Sequence, residues 1–355
     1  MTAPLNDPRT DDGIDELVQF DEALRLGQAP AAAAMDPELE ETAQFLWRMN
    51  AIWPRQPKKI GPYTLIRGLG QGMIGPAYLV EDSARERSHV LKILWPDLSA
   101  HASLRRQLLR VGQAVQQLGH ANIASIREVR EAGSLCLVVL DYCPGLSLAQ
   151  WRRTHPHPLP WEGATTLIAQ LADTLDTAHR GGLVHGNVKP SNLFLTQEPE
   201  ITPSNLAEAT IRVADFGLAS AIQQARLPSR AALPWPMPQY LAPERLHHGS
   251  KSAEPTDDVY ALGVLLYELL TSRSPVSGST REELLAKARD ASPLPPRQRR
   301  ADIPEGLDAV VMRCLRRDPA DRPASAKKLA ESLRALLPTA KKESPGWWKQ
   351  WLGWM

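Results

Sequence analysis

Cysteine is scarce and unpaired in this chain: Cys136, Cys143 and Cys314 are the only three in 355 residues. Without C-x-x-C or metal-ligand spacing they exclude a disulfide scaffold and a zinc site, and they suit a reducing cytosol. Long apolar runs are missing as well. The longest, Val259 to Leu270, is interrupted by Glu268 and is too short to span a bilayer. The N-terminus lacks a charged-then-apolar leader, so no conventional export segment is expected and the cytoplasm is the expected location. No internal repeat recurs at a period of about 20 to 50 residues, which excludes solenoids and propellers. Acidic residues are absent throughout the stretch from Leu98 to Arg127.

Charge is balanced over the whole chain, at +1, but not along it. Residues 1–45 hold 11 Asp/Glu against 2 Arg, a formal −9 that leaves +10 for the remainder. This arm, with Asp7, Asp11, Asp12, Asp15, Glu16, Asp21 and Glu22 ahead of Ala31 to Ala34, is too polar to form a core. It reads either as a solvated tail or as a segment that folds back on the basic body. Beyond it, a hydrophobic content of 43% and a charged content of 23% are ordinary for a globular chain. The length suits a two-lobed fold of about 250 to 280 residues with flanking segments.

Short apolar stretches at Tyr63 to Leu69, Ala77 to Glu81, His89 to Leu94, Ala124 to Val129 and Leu135 to Leu140 predict an antiparallel sheet. One helix interrupts it, because Leu104, Leu108, Val111, Val115 and Leu118 recur at helical spacing within 103–118. Helical patterns then dominate: Thr165 to Arg180, closed by Gly181-Gly182, and later 258–270, 280–289, 306–316 and 325–337. The polar, Pro-containing stretch 197–210 predicts an enlarged loop between two short strands. Strands first and helices second indicate a two-lobed α+β protein.

Gly70-Gln71-Gly72-Met73-Ile74-Gly75 lies between two predicted strands, where backbone N–H groups could close over phosphate. A lone lysine, Lys92, ends the next apolar strand but one. His185-Gly186-Asn187-Val188-Lys189-Pro190-Ser191-Asn192, Asp215-Phe216-Gly217 and Ala242-Pro243-Glu244 follow in that order. Each piece alone is weak, but the ordered set is specific. From these residues the chain resembles the protein kinases, in particular the bacterial, eukaryotic-like Ser/Thr type, from about Ile60 to Leu337.

The resemblance implies a bilobal fold: an N-lobe over 60–140, with a small antiparallel sheet and one helix, and a larger helical C-lobe over 141–337. Residues 1–45 then form the arm, 46–59 a linker and 338–355 a tail. It implies ATP and Mg²⁺ as cofactors, with Gly70, Gly72, Gly75, Ala77 and Lys92 at the nucleotide, Leu140 to Cys143 as the hinge receiving adenine, and Asn192 with Asp215 on the metal. Lys189 belongs to the catalytic loop. His185, Phe216, Gly217, Asp258 and the pair Glu244 and Arg322 are assigned structural roles.

The pattern also breaks in three places. Asn187 occupies the position of the aspartate that accepts the substrate hydroxyl proton, and an amide has no useful basicity. Val111 occupies the position of the helix glutamate that orients the lysine, so Lys92 is expected to lose its partner, with Gln107, Gln113 or Gln116 as neutral substitutes. Pro236-Met237-Pro238-Gln239-Tyr240 replaces the Gly-Thr-Pro-x-Tyr substrate platform, and Gly186 removes a phosphate-anchoring arginine. Between Asp215 and Glu244 no threonine occurs, and Ser220 and Ser229 are the only serines, so control by phosphorylation there is not expected. Convergence on proton acceptance, lysine orientation and substrate docking points to a nucleotide-binding protein with impaired catalysis. The alternatives are a slow kinase in which Asn187 positions the acceptor, and a nucleotide-independent scaffold.

Trp347, Trp348, Trp351 and Trp354 crowd the C-terminus beside Lys341, Lys342 and Lys349. Indoles next to cations suit peripheral membrane or partner contact, or docking on the chain's own lobe. The cluster Arg297-Gln298-Arg299-Arg300 reads as a solvated loop, and no nucleic-acid partner is expected.

Overall fold

The computed structural model describes residues 59–338, apart from 73, 84, 133–134, 197–200, 226–237, 247–251, 279–282, 284–285 and 288–292. The acidic arm, the Trp-rich tail, Ser229 and Met237, and most of the helix expected at 280–289, therefore lie outside the described residues. The chain divides into two units, one ending at Gly70 and including Pro76–His89, the other comprising Gln71–Gly75 and everything from Val90 onward.

In the first unit, strand β1 (Lys59–Ile60) pairs antiparallel with β2 (Tyr63–Gly72), Ile60 lying opposite Tyr63. Gly61, at φ 57°, makes the turn between them. Strands β3 (Gly75–Asp82) and β4 (Arg87–Ile93) follow, and in the second unit β5 (Ile126–Ala132) pairs antiparallel with β6 (Leu135–Asp141). All five predicted strands are present, each shifted or extended by a few residues at its ends.

The second unit holds the helices. Helix α1 (Ala102–Leu118) buries Leu104, Leu108, Val111 and Val115, the stripe read from spacing, and ends at Gly119 with φ 58°. Its Gly112 lets it approach β5 closely, since a Cβ there would sit 3.2 Å from the Ile126 side chain. Helix α2 (Leu148–Thr154) starts at a capping box in which the Ser147 side chain accepts from Gln150 N while Gln150 accepts in return. Helix α3 (Trp161–Arg180) packs against α5 (Pro255–Thr271) and α7 (Ala326–Arg334), and α6 (Glu305–Cys314) packs on α5. Helix α5 is buried on nearly every side, so it forms the centre of this unit. Its Leu262, Leu265, Leu266, Leu269 and Leu270 are all at most 2% exposed, each burial contributing about 1.5–3 kcal/mol.

A second sheet, in the order β7-β8-β9, joins β7 (Leu146–Ser147), β8 (Leu193–Thr196) and β9 (Thr210–Val213) in antiparallel pairs. The strands β8 and β9 are the two short strands expected on either side of the enlarged loop. That loop is anchored: Trp151 Nε1 donates to Ile201 O at 2.8 Å, and Leu206 is fully buried. Helix α4 (Leu218–Gln224), which begins immediately after Gly217, was not expected, and neither was α2.

Candidate active site

The loop before β8 is held from below by one buried carboxylate. Asp258, at the first turn of α5, accepts His185 N at 3.0 Å and His179 Nε2 at 2.8 Å on Oδ2, and Gly186 N at 2.8 Å on Oδ1. Burial works to raise its pKa, but the hydrogen bond and charge of His179, with His185 and the Gly186 N–H, outweigh it and hold the carboxyl below its ordinary value. His179 was not singled out by sequence. A histidine in the last turn of an amphipathic helix was the available signal.

His185 is fully buried and packs edge-on to Phe216, with ring centroids 5.1 Å apart. Its Nδ1 accepts from Asn187 N at 3.1 Å while Nε2 lies 3.1 Å from Ala214 O, which places the proton on Nε2 of a neutral ring. Asn187 is thus fixed through its backbone, since its carbonyl also accepts from Asn192 Nδ2 at 3.0 Å. Asn192 O in turn accepts from Ala214 N at 2.8 Å, so Asn192 and Asp215 stand on adjacent segments.

Lys92 does not lose its partner. Its Nζ donates to both carboxylate oxygens of Asp215 at 2.5 Å. With no Asp or Glu anywhere on α1, the ammonium pairs with Asp215 instead, and this corrects the expectation of an unpartnered lysine. Gln116 is directed to β5 instead, its Nε2 donating to the carbonyls of Ile126 and Arg127. Asp215 itself sits at φ 60°, a backbone conformation rare for a residue with a side chain. Val111 is buried and touches Gly217: a Cβ on that glycine would lie 2.3 Å from Val111 Cγ1.

The remaining predicted residues fall as follows. In the first unit, Gly70 has φ 119° and open space around it, and Ala77 is half-buried on β3. In the second, Gly72 is exposed, and Gly75, at φ 145°, admits no side chain because a Cβ would collide with Ile93 O. Leu140 and Cys143 are buried at and just beyond the end of β6, and burial pushes the Cys143 thiol up to about 11. Lys189 is buried, and desolvation lowers its pKa, as does the nearby Lys92, against the pull of Asp215. Arg322 grips Glu244 with two bonds of 2.7 Å. The Arg297 to Arg300 cluster is partly tied down, Arg299 donating to Tyr267 Oη at 2.7 Å and Arg300 pairing with Asp302.

The protein kinase domain family matches residues 63–333. The chain belongs to that family. The chain is 30% identical over 290 residues to the serine/threonine-protein kinase pkn2 of Myxococcus xanthus, covering 81% of this chain and 34% of that protein. It is 30% identical over 269 residues to PknB of Mycobacterium leprae, covering 75% of this chain and 41% of the relative. The chain therefore spans well under half the length of these two relatives. Among solved structures, the kinase domain of Mycobacterium tuberculosis PknI matches with a TM-score of 0.61 at 26% identity, over 79% of this chain and 99% of that one. No helix among the described residues is long and apolar enough to cross a membrane.

The donor set of this kinase domain fits Mg²⁺ bound together with a nucleotide. Among the described residues no cluster of three or more His, Cys, Asp or Glu could cage a metal alone. Mg²⁺ that shares its shell with phosphates needs only one or two carboxylates, and Asp215 with the Asn192 amide oxygen supplies such a set. Beside the loop lies a cavity with room for little more than a water molecule, lined by Asn187, Tyr240, Ala242, Arg245 and Asp257 among others. Arg245 Nη1 meets Asp257 Oδ2 there at 2.9 Å, and burial pushes the Asp257 carboxyl up to about 6.

These groups set a pH dependence. Burial depresses the His185 pKa from 6.5, with Asp258 opposing, so below pH 6.5 the unfolded chain binds a proton that the folded one refuses. Stability is expected to fall as pH drops through 6.5. Asp257 acts in the opposite sense between about 6 and 3.8, where the folded state holds the extra proton. Urea unfolding of an Asp257→Asn variant should consequently show a steeper loss on acidification from pH 6 to pH 5 than the parent. Proton NMR should find the His185 ring titrating below the ordinary histidine value, with its proton on Nε2.

Proposed function

We propose that this kinase domain binds ATP with Mg²⁺ and serves as an adaptor or regulator in signalling, its own Ser/Thr phosphotransfer being impaired. The observation that carries the proposal is Asn187 on a loop whose supports are all present: Asp258, His185 and Asn192 hold its backbone in place. A loop braced in this way keeps its shape, while the amide at its tip cannot draw a proton from an alcohol. Lys92, Asn192 and Asp215 support nucleotide and metal binding, Lys92 as a charge for phosphate oxygens and the other two as oxygen donors to the metal. Gly70, Gly72, Gly75, Ala77, Leu140 and Cys143 take the family's nucleotide-contact roles in this reading. A protein substrate or partner is part of the same proposal.

Thermal unfolding with ATP, with and without Mg²⁺, tests it. At ligand concentrations 100 times Kd, binding to the folded state alone adds about 2.7 kcal/mol, a rise of several degrees. A shift that needs the metal supports the proposal, and no shift at all rejects it in favour of a nucleotide-independent scaffold.

A second reading is a slow kinase. Both backbone groups of Asn187 are committed, so its side chain stays available to accept a hydrogen bond and orient an incoming hydroxyl. Phosphate transfer by the unaltered chain that disappears in Asp215→Ala would favour it.

A further inference from the structure

The inner face of α1 is filled by Leu104, Leu108, Val111 and Val115. Its outer face is a different surface. Arg106, Leu109, Arg110, Gln113 and Gln117 are all exposed and follow one another at steps of three and four residues, so they form one continuous stripe. Leu109, at 44%, is the only large apolar side chain exposed on a helix among the described residues. The charges on either side of it are uncompensated. Arg105 turns away to Glu131 at 2.7 Å and to Ser99 O, whereas Arg106 and Arg110 pair with no carboxylate among the described residues. They stand four residues apart on the helix, where like charges repel, and no acidic residue in the first turn answers the helix dipole. With no Asp or Glu from Leu98 to Arg127, this stripe is stabilised by any anionic segment laid along it.

We infer that the outer face of α1 is the docking surface for the chain's own acidic arm, centred on residues 11–22. The inference is independent of the nucleotide-binding reading. Residues 1–45 carry a formal −9 against +10 for the remainder, so the arm is the concentrated source of negative charge in the chain. Between Asp11 and Glu22, six carboxylates surround Ile14, Leu17, Val18 and Phe20. That is the complement of a stripe that sets one apolar side chain between two cations and extends it with neutral amides. Carboxylates on Arg106 and Arg110 form charge-assisted bonds that suit the guanidinium fork, while the apolar residues take Leu109 out of water. Residues 46–58 provide a tether of up to about 45 Å, against about 25 Å for the 17 residues of α1, so the arm has chain enough to lie along the stripe. Tethering also keeps the effective concentration high, and a contact too weak to form between separate molecules is still populated. The Trp-rich tail does not compete for this surface, because Lys341, Lys342 and Lys349 bring charge of the same sign.

Arginine footprinting on the full chain reads the contact from the side of α1. Phenylglyoxal modifies accessible guanidinium groups, and mass spectrometry assigns the rate at each site. A variant carrying Asp11→Asn, Asp12→Asn, Asp15→Asn, Glu16→Gln, Asp21→Asn and Glu22→Gln together removes the charge of the arm and touches none of the described contacts. Modification of Arg106 and Arg110 should be faster in this variant by about fivefold or more, the ratio expected when about four arms in five are docked in the parent. Arg316 and Arg317, exposed beyond α6, should react equally in both. Salt at about 1 M, where the screening length is about 3 Å, should bring the parent to the rate of the variant. Tryptic cleavage after Arg25 reads the contact from the side of the arm: Arg106→Glu with Arg110→Glu, both on the exposed stripe, should speed it by a similar factor. Rates at Arg106 and Arg110 that ignore neutralisation of the arm would overturn the inference, whether those side chains are open throughout or covered by a separate acidic protein. Protection that grows with protein concentration would overturn it in favour of the arm of a second copy. Faster reaction at Arg316 and Arg317 instead would place the arm elsewhere and overturn it as well.

Discussion

Replacing Asn187 with aspartate should raise phosphate transfer to a Ser/Thr peptide by about 10²- to 10⁴-fold, the span that a positioned general base contributes. The two side chains are nearly the same shape. The contacts that place residue 187 run through its backbone, to His185 Nδ1 and Asn192 Nδ2, so the loop should accept the change with little loss of stability. What changes is basicity: a carboxylate can take the proton that the alcohol sheds, and an amide cannot. The gain should fall toward the lower end of the span, because Asp215 remains shared with Lys92 and because phosphoryl transfer relies heavily on charge and positioning. Radiolabelled transfer under saturating ATP and Mg²⁺, with Asp215→Ala as the blank, measures it. Equal rates in parent and variant would mean that proton acceptance does not limit this protein, and brisk transfer by the parent would overturn the reading of impaired catalysis.

The reach of the sequence differed between elements for physical reasons. The α1 stripe was legible because a burial pattern with helical period leaves few alternatives, and α5 because its apolar run is too long for an ordinary strand. The spacing of the loop around Asn187, the Asp215-Phe216-Gly217 turn and Glu244 gave away the family, since those side chains serve geometry that local propensity cannot mimic. Helix α4 was not legible. Its residues, Leu-Ala-Ser-Ala-Ile-Gln-Gln, make fewer than two full turns, too short for a periodic signal, and the helix is held by tertiary contacts such as the bond from Ser220 Oγ to Val184 O. The partner of Lys92 was missed for a related reason. The missing carboxylate on α1 was visible in the sequence, but which anion would replace it depends on the backbone turn at Asp215, a non-glycine residue at φ 60° that no spacing rule predicts. The role of Val111 shows the same asymmetry. Composition shows hydrocarbon in place of charge, whereas only the approach of Gly217 shows what that hydrocarbon fills.

Arg322→Ala should cost about 3–5 kcal/mol of folding stability, the amount expected when one member of a buried ion pair is removed and the other is left behind. Arg322 is buried to 1% exposure and spends its donors completely: two bonds of 2.7 Å to Glu244, one of 2.8 Å to Arg316 O, and others to Thr256 O and Arg317 O. Its guanidinium also lies 5.1 Å from the centroid of the Tyr260 ring. Truncation therefore strands a carboxylate and three carbonyls at once. Glu244 retains about a third of its side-chain exposure, at 32%, so water can recover part of the loss and the lower half of the range is the better expectation. Lysine should not rescue the position, because a single ammonium cannot reproduce the planar fork that reaches Glu244 and three carbonyls together. Urea titration of Arg322→Ala and Arg322→Lys beside Lys328→Ala makes the comparison, since Lys328 pairs with Glu331 at 2.8 Å on the surface and its loss should leave the midpoint unchanged. Equal midpoints for all three variants would show that the Glu244–Arg322 pair does not anchor the fold. A large shift confined to position 322 would locate that anchor where Ala242-Pro243-Glu244, the start of α5 and the segment after α6 meet.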